Sequence, residues 1–387
     1  MRIAIDARPA VAPERTGIGH YTRQLLLHLP RGDPESTYVA WFLNARDRLS
    51  SLRRKRSFPD RPNLVERGVP IPATWFERTS ERFELPLVEW LVRFDVLFAP
   101  NFVPPPTRSR RLVVTVHDLA FRRFPGTAPH ATLRWLTRLD RYLVRATRII
   151  AVSESTRRDV VDLYGVDPER VEVIPHGVDG ETYRPPDPGS VEAVRRRFGL
   201  NDPYVLFLGG IEPRKNLPNL LAAYARLSPE VRPLLVVAGG WVPWNPEGRR
   251  GLDQALDGLP ADVRSGVVVT GYVSERDKVA LLGGAEALVY PSLYEGFGFP
   301  VVEAMACGTP VLTSDVSSLP EVAGDAAVLV SPEDIDSIAA GMEGLVRDDA
   351  LRARLRAAGL ERARRFTWED TARRTAEILR RAGEEGR

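Results

Sequence analysis

At 387 residues the chain is long for one compact domain and natural for two. Its apolar share of 43 % is ordinary for a globular protein, and no run of about eighteen apolar residues exists, which excludes a membrane-spanning helix. The net charge of +3 conceals a split: residues 1–185 hold 30 basic and 22 acidic side chains, and residues 186–387 hold 24 and 29.

The N-terminus enters an apolar strand, Arg2–Asp6, without a signal-peptide pattern. Cys307 is the only cysteine, so no intrachain disulfide or cysteine-cluster zinc site can form. Both features point to a soluble, cytoplasmic chain. The basic first half suits an anionic acceptor, or peripheral contact with the inner face of a membrane carrying one. Its densest cluster, Arg53, Arg54, Lys55 and Arg56, reads first as a solvated loop and second as such a contact. Nucleic acid is not expected, because the basic stretches lack interleaved aromatics.

The first strand leads to a loop with Gly17-Ile18-Gly19-His20-Tyr21, then to a helix carrying Leu25, Leu26, Leu27 and Leu29. The glycines permit close backbone approach to a ligand, but the third glycine of a dinucleotide fingerprint is missing, and a plain turn is an equal reading. Further strand-like runs follow at Tyr38–Leu43, Val96–Ala99, Leu112–Val116 and Arg148–Val152. His117 stands at the end of Leu112–Val116. There it can donate to a ligand oxygen or shuttle a proton, or it can serve as a hydrogen-bonded structural histidine. His20, His28, His130 and His176 show no shared metal-ligand spacing.

Pro175-His176-Gly177-Val178-Asp179, followed by Pro185, Pro186, Pro188 and Gly189, reads as a linker. A second set of runs follows: Tyr204–Leu208, Leu234–Ala238, Val267–Thr270, Ala287–Tyr290, Pro310–Thr313 and Ala327–Val330. Continuous Val/Ile/Leu runs suit strands covered on both faces, and their alternation with helix-length segments predicts parallel sheets. The expected fold class is α/β with two doubly wound domains, 1–180 and 181–365, and a final helix within 366–387. In such sheets ligands bind at the carboxyl ends of strands.

Two strand ends in the second half carry chemistry. Gly209-Gly210-Ile211-Glu212-Pro213-Arg214-Lys215-Asn216 follows Tyr204–Leu208, with Asn216 predicted to cap helix Leu217–Leu227. Arg214 and Lys215 suit a diphosphate, and lysine is scarce: 51 arginines stand against Lys55, Lys215 and Lys278. After Ala287–Tyr290, Glu295 and Glu303 flank the Gly296-Phe297-Gly298 turn. Pro300 suits the first position of a helix. The turn would offer backbone N–H groups at a positive helix end, which favours phosphate, while the two carboxylates suit sugar or ribose hydroxyls. Asp334-Ile335-Asp336 resembles a divalent-metal string, but its place at a helix start predicts capping, and no required metal is expected.

Together these residues resemble the retaining glycosyltransferases of family 4, whose GT-B fold has two Rossmann-like domains facing a central cleft. The match rests on Glu295-Gly296-Phe297-Gly298-Phe299-Pro300 through Glu303 to Val311, on Gly209–Asn216, on Gly271-Tyr272-Val273 and on Pro175–Asp179. The resemblance implies that the second domain binds a nucleotide sugar, the first binds a saccharide or lipid-linked acceptor, and the last helix crosses back to the first. It implies that Arg214 and Lys215 hold the diphosphate, and that Gly17, Gly19 and the backbone of Gly296, Phe297 and Gly298 lie near phosphate and sugar. Glu295 would position sugar hydroxyls, Glu303 would bind ribose, Val273 would meet the base and His117 would lie near the donor sugar. Transfer would be same-face, with no cofactor beyond the co-substrate. Thr115–Phe121 and Gly17-Ile18-Gly19 look like the mannosyltransferase and rhamnosyltransferase branch of bacterial polysaccharide assembly, which makes GDP-mannose the expected donor. The alternatives are UDP-glucose, a dTDP- or UDP-linked deoxysugar, an epimerase of the same fold, or a non-catalytic scaffold. His176 departs from an asparagine common in the family, a change expected to alter only a turn or the hinge.

Overall fold

A computed structural model describes the chain apart from residues 13–16, 45–56, 86, 102, 125–138, 241–245 and 386–387. The Arg53–Arg56 cluster and His130 therefore lie outside the described residues. The chain divides into two compact units: Met1–Leu119, His130–Gly177 and Trp368–Arg387 form the first, and Ala120–Pro129 with Val178–Thr367 form the second. The crossing falls at Gly177 rather than 180, and the second unit extends to Thr367 rather than 365.

The first unit is built on seven parallel strands: β1 Arg2–Asp6, β2 Thr37–Leu43, β3 Leu64–Val69, β4 Val96–Ala99, β5 Leu112–Val116, β6 Arg148–Ala151 and β7 Val171–Val173. Their order is β3-β2-β1-β4-β5-β6-β7, so the direction of winding reverses between β1 and β4. Ile3 pairs with Tyr38 on one side and Val96 on the other. The central strands are apolar because helices cover both faces; Ile3, Ile5, Phe98, Val114 and Ile150 have no exposed surface. The sequence pattern did not reveal β3 and β7, which are the two edges. β3 exposes Val65 and carries Glu66 and Arg67, and β7 has three residues, so neither shows a buried apolar run.

The final helix, Trp368–Glu385, belongs to the first unit and packs along helix Gly17–Gly32. Its buried stripe of Trp368, Thr371, Ala372, Thr375, Ala376 and Leu379 repeats every three or four residues, as one helical face requires. Thr371 Oγ1 donates to the Pro175 carbonyl at 2.8 Å, and Arg381 pairs with Glu172.

The second unit has six parallel strands: β8 Tyr204–Leu208, β9 Leu234–Ala238, β10 Val267–Gly271, β11 Ala287–Tyr290, β12 Val311–Ser314 and β13 Val328–Val330. The order β10-β9-β8-β11-β12-β13 places the topological switch between β8 and β11, the crevice where open α/β sheets bind ligands. Gly239, just past β9, has φ +152°, and a Cβ there would lie 1.8 Å from the Gly209 carbonyl oxygen. Only glycine lets the two strand ends come that close.

Candidate active site

Residues following β8 and β11 meet at the switch. The Pro213–Lys215 turn brings Arg214 and Lys215 onto the carboxylate of Glu295. Lys215 Nζ donates to Glu295 Oε1 at 2.5 Å, and Arg214 Nη1 donates to Oε2 at 2.8 Å. The Tyr290 hydroxyl donates to Oε1 at 2.8 Å and also accepts from Lys215. Arg214 Nε reaches Glu212 at 2.8 Å, and the Arg214 carbonyl accepts from Leu293 N at 2.8 Å, tying the two loops together.

Asn216 does not cap helix Leu217–Arg226 with its side chain, contrary to the sequence expectation. It lies in the left-handed region (φ 62°, ψ 32°), and its amide donates to the Pro291 and Pro332 carbonyls at 3.0 and 2.7 Å. The turn after β8 is thus locked to the loop after β11 rather than to its own helix. Ser317 and Ser318 pin the other side: Ser317 Oγ accepts from Glu295 N at 3.0 Å, and Ser318 Oγ donates to the Glu295 and Phe297 carbonyls, both at 2.9 Å.

Burial by itself would raise the Glu295 carboxyl, but Arg214, Lys215 and the Tyr290 hydroxyl outweigh it and hold the pKa at about 2. Lys215 is lowered, by burial first and Arg214 second, against the pull of Glu295. The carboxylate is therefore the strongly stabilised member, and two cations crowd it. A depressed carboxyl pKa contributes stability above its ordinary value and loses it on acidification. The Glu295 contribution, on the order of 3 kcal/mol, is expected to be complete above about pH 4.5 and to vanish as pH falls towards 2. Urea unfolding across that window checks it; an acid limb unchanged in Glu295→Gln would refute it.

The helix Phe299–Ala306 begins directly after Gly298, with Pro300 at its second residue, one later than expected. Gly298 has φ +107°, and a Cβ there would press to 2.8 Å from Leu319 Cδ2. The Phe297 ring is buried against Phe299 and Phe366. Glu303 lies just past the first turn of this helix. Lys278 Nζ spans its two oxygens at 3.0 and 3.1 Å. Cys307 is buried at the helix end, its thiol pushed up to about 12 by burial and then by Glu303. Val273 is half-buried just past β10, beside Tyr272, which is 84 % exposed. Asp334 caps helix Ile335–Arg347, accepting from Asp336 N and Ser337 N, and Asp336 pairs with Arg226. Among the described residues no group of three or more His, Cys, Asp or Glu could hold a metal ion.

His117, Gly17 and Gly19 belong to the first unit. Gly17 and Gly19 form the first turn of helix Gly17–Gly32 rather than a loop before it. His117 Nε2 lies 2.8 Å from the Pro100 carbonyl, which can only accept, so that nitrogen carries the proton. Nδ1 then accepts from His176 Nε2 at 3.3 Å. Burial lowers the pKa of both rings, His176 well below the ordinary value, with His117 and His20 adding to the effect. His117 is thus a neutral ring with both nitrogens committed, which does not suit proton transfer near pH 7. His176 does more than alter a turn: it is buried, stacked on His117 with ring centroids 5.3 Å apart, and meets Tyr21 edge-on at 4.7 Å.

The sequence assigns no site role to Tyr290, Ser317, Ser318 or Lys278. Tyr290 reads as one more apolar strand residue and the serines as a loop; only the scarcity of lysine marked Lys278.

Two parallel-sheet units, one carrying a buried carboxylate gripped by Arg and Lys at its switch point, define a doubly wound α/β protein of the GT-B class. The model for Glycosyltransferase Family 4 matches residues 15–182, and the model for Glycosyl transferases group 1 matches residues 191–362. O-antigen chain mannosyltransferase B of Escherichia coli is 34 % identical over 286 residues, covering 72 % of each chain. The serotype-specific mannosyltransferase WbdA of Escherichia coli is 34 % identical over 232 residues, covering 59 % of this chain and only 28 % of that longer one. Sucrose-phosphate synthase from Thermosynechococcus elongatus superposes with TM-score 0.75 at 21 % identity, over 98 % of both chains. Anabaena Alr3699/HepE in complex with UDP-glucose gives TM-score 0.72 at 19 % identity, over 98 % of this chain and 100 % of that one. The chain belongs to glycosyltransferase family 4 and is a glycosyltransferase.

Proposed function

We propose that this glycosyltransferase moves a mannosyl group from GDP-mannose to a saccharide or lipid-linked saccharide acceptor, with retention and without a required metal. The meeting of Arg214, Lys215 and Glu295 at the β8/β11 switch carries the reading. The two cations would offset charge growing on the departing diphosphate, where fixed electrostatics lower the barrier most. Glu295 would orient sugar hydroxyls, Glu303 would take the ribose, and the backbone from Gly296 to Gly298 would face phosphate. Glu295 suits a positioning role because its oxygens already accept from Lys215, Arg214 and Tyr290, and a carboxylate so stabilised is a weak nucleophile. The mannosyl choice is supported by the relatives named for mannosyl transfer. UDP-glucose is the second candidate donor, because Alr3699/HepE holds it in the same fold.

A thermal-shift screen against GDP, UDP, dTDP and ADP sugars tests the donor, since a ligand bound only by the folded state raises the melting temperature. GDP-mannose is expected to give the largest shift; a larger one with UDP-glucose would select the second candidate. Turnover is expected to persist in excess EDTA, and its loss, restored by a divalent ion, would refute metal independence. No helix of the described residues is long and apolar enough to cross a membrane. The first unit exposes Trp75, Phe83 and Trp90, and its part of the sequence is basic, which suits peripheral contact with an anionic membrane. Sedimentation with phosphatidylglycerol vesicles at low salt, and not with phosphatidylcholine vesicles, is the expected result.

A further inference from the structure

Only three lysines occur among the 54 basic residues, and Lys55 lies outside the described residues. The other two stand on the two glutamates that flank the glycine turn: Lys215 on Glu295, and Lys278 on Glu303. The first pair belongs to the diphosphate corner. In the second pair Glu303 is read as the ribose residue, and Lys278 has no part in the reaction as described so far.

Lys278 is the fourth residue of helix Glu275–Gly284, which starts two residues after Val273 and is capped by Ser274. Its ammonium lies 4.7 Å from the centroid of the Tyr183 ring, over its face. The Tyr183 hydroxyl donates to Glu275 at 3.3 Å on the same helix, which ties the ring to the helix that carries Lys278. Nζ sits almost equally from both Glu303 oxygens, 3.0 and 3.1 Å. It takes one acceptor direction of each oxygen and leaves each oxygen able to accept again. The acceptor directions that Lys278 leaves, beside the Tyr183 hydroxyl that also interacts with Glu303, match neighbouring hydroxyls on one ring. An arginine would engage both oxygens through a flat two-pronged fork; a lysine acts as a compact point charge.

We propose that Lys278 is a positioning residue that fixes Glu303 as a two-oxygen acceptor for the 2′- and 3′-hydroxyls of the donor ribose, and so makes the site select ribonucleotides over 2′-deoxyribonucleotides. This rests on the reading of Glu303 as the ribose residue given above. A site built for two hydroxyls rejects a ligand lacking one, because a buried acceptor is left unmet.

Calorimetric titration of GDP, UDP and the 2′-deoxy form of each, on the full chain, tests it. The wild type is expected to bind the ribo form about tenfold or more tightly than the deoxy form. Lys278→Met is expected to bring that ratio close to one, and Lys278→Arg to restore most of it; Lys278→Gln carries the same test if the methionine variant does not fold. Equal weakening of ribo and deoxy binding in Lys278→Met, with the ratio kept, would reduce Lys278 to a structural ion pair and overturn the proposal. A ratio preserved in Glu303→Gln would instead refute the ribose role of Glu303, and the proposal with it. Absence of binding by all four nucleotides to the wild type would refute the nucleotide-sugar reading itself.

Discussion

Lys215→Met is expected to lower kcat/KM for the sugar nucleotide by about a hundredfold to a thousandfold, the usual cost of removing one fixed donor from a site of growing negative charge. The effect falls mostly on kcat if Lys215 acts on the departing diphosphate, and on KM if it only helps binding. The sequence alone suggests little loss of fold, because Lys215 reads there as a loop residue. The structure predicts otherwise. Lys215 is only 7 % exposed and is a partner of a buried carboxylate. Removing one member of a buried pair leaves the other charge poorly compensated, although Arg214 and Tyr290 still serve Glu295. A loss of about 3 kcal/mol follows, at the lower end of the usual range. The acid limb of unfolding is also expected to move to higher pH, because Glu295 loses one of the cations that depress it. Urea titrations of wild type and variant at pH 7 and pH 4 measure both. Kinetics indistinguishable from wild type would remove Lys215 from the donor site.

Glu295→Ala carries the second large effect. If Glu295 orients the sugar, the variant loses about a hundredfold or more in kcat, because misplacement by about 1 Å is that costly. Added azide is expected neither to restore turnover nor to yield a glycosyl azide, since in the proposed same-face transfer the carboxylate forms no bond to the sugar. Azide rescue with a glycosyl azide product would make Glu295 a nucleophile and sink the same-face reading. Glu295→Gln is expected to be the less stable variant, by about 3–5 kcal/mol relative to wild type. Its amide keeps the shape but turns an N–H towards Arg214 or Lys215, leaving buried cations without a counter-charge.

Much of this was legible in order along the chain. β1, β4, β5, β8, β9 and β11 have the bounds the apolar runs predict, because central parallel strands are buried on both faces and the pattern is unbroken. Glu295, the glycine turn and Glu303 were legible because a short helix start encodes them locally. β3 and β7 were not: β3 interrupts its apolar residues with Glu66 and Arg67, and β7 has only three residues.

The sequence by itself determined two doubly wound α/β units and the residue types at their strand ends, since burial period and turn chemistry are local properties. Which side chains share a partner was decided only by tertiary structure. Strand order set β8 beside β11, and with it Arg214 and Lys215 on a carboxylate 80 or more positions away. The Asn216 amide turned to the Pro291 and Pro332 carbonyls once the fold supplied them, in place of the cap its sequence position suggests. His117 became a neutral, doubly bonded ring only because β4 and His176 come to lie against it. Proton position and carboxylate pKa depend on such neighbours, and distance along the chain does not encode them.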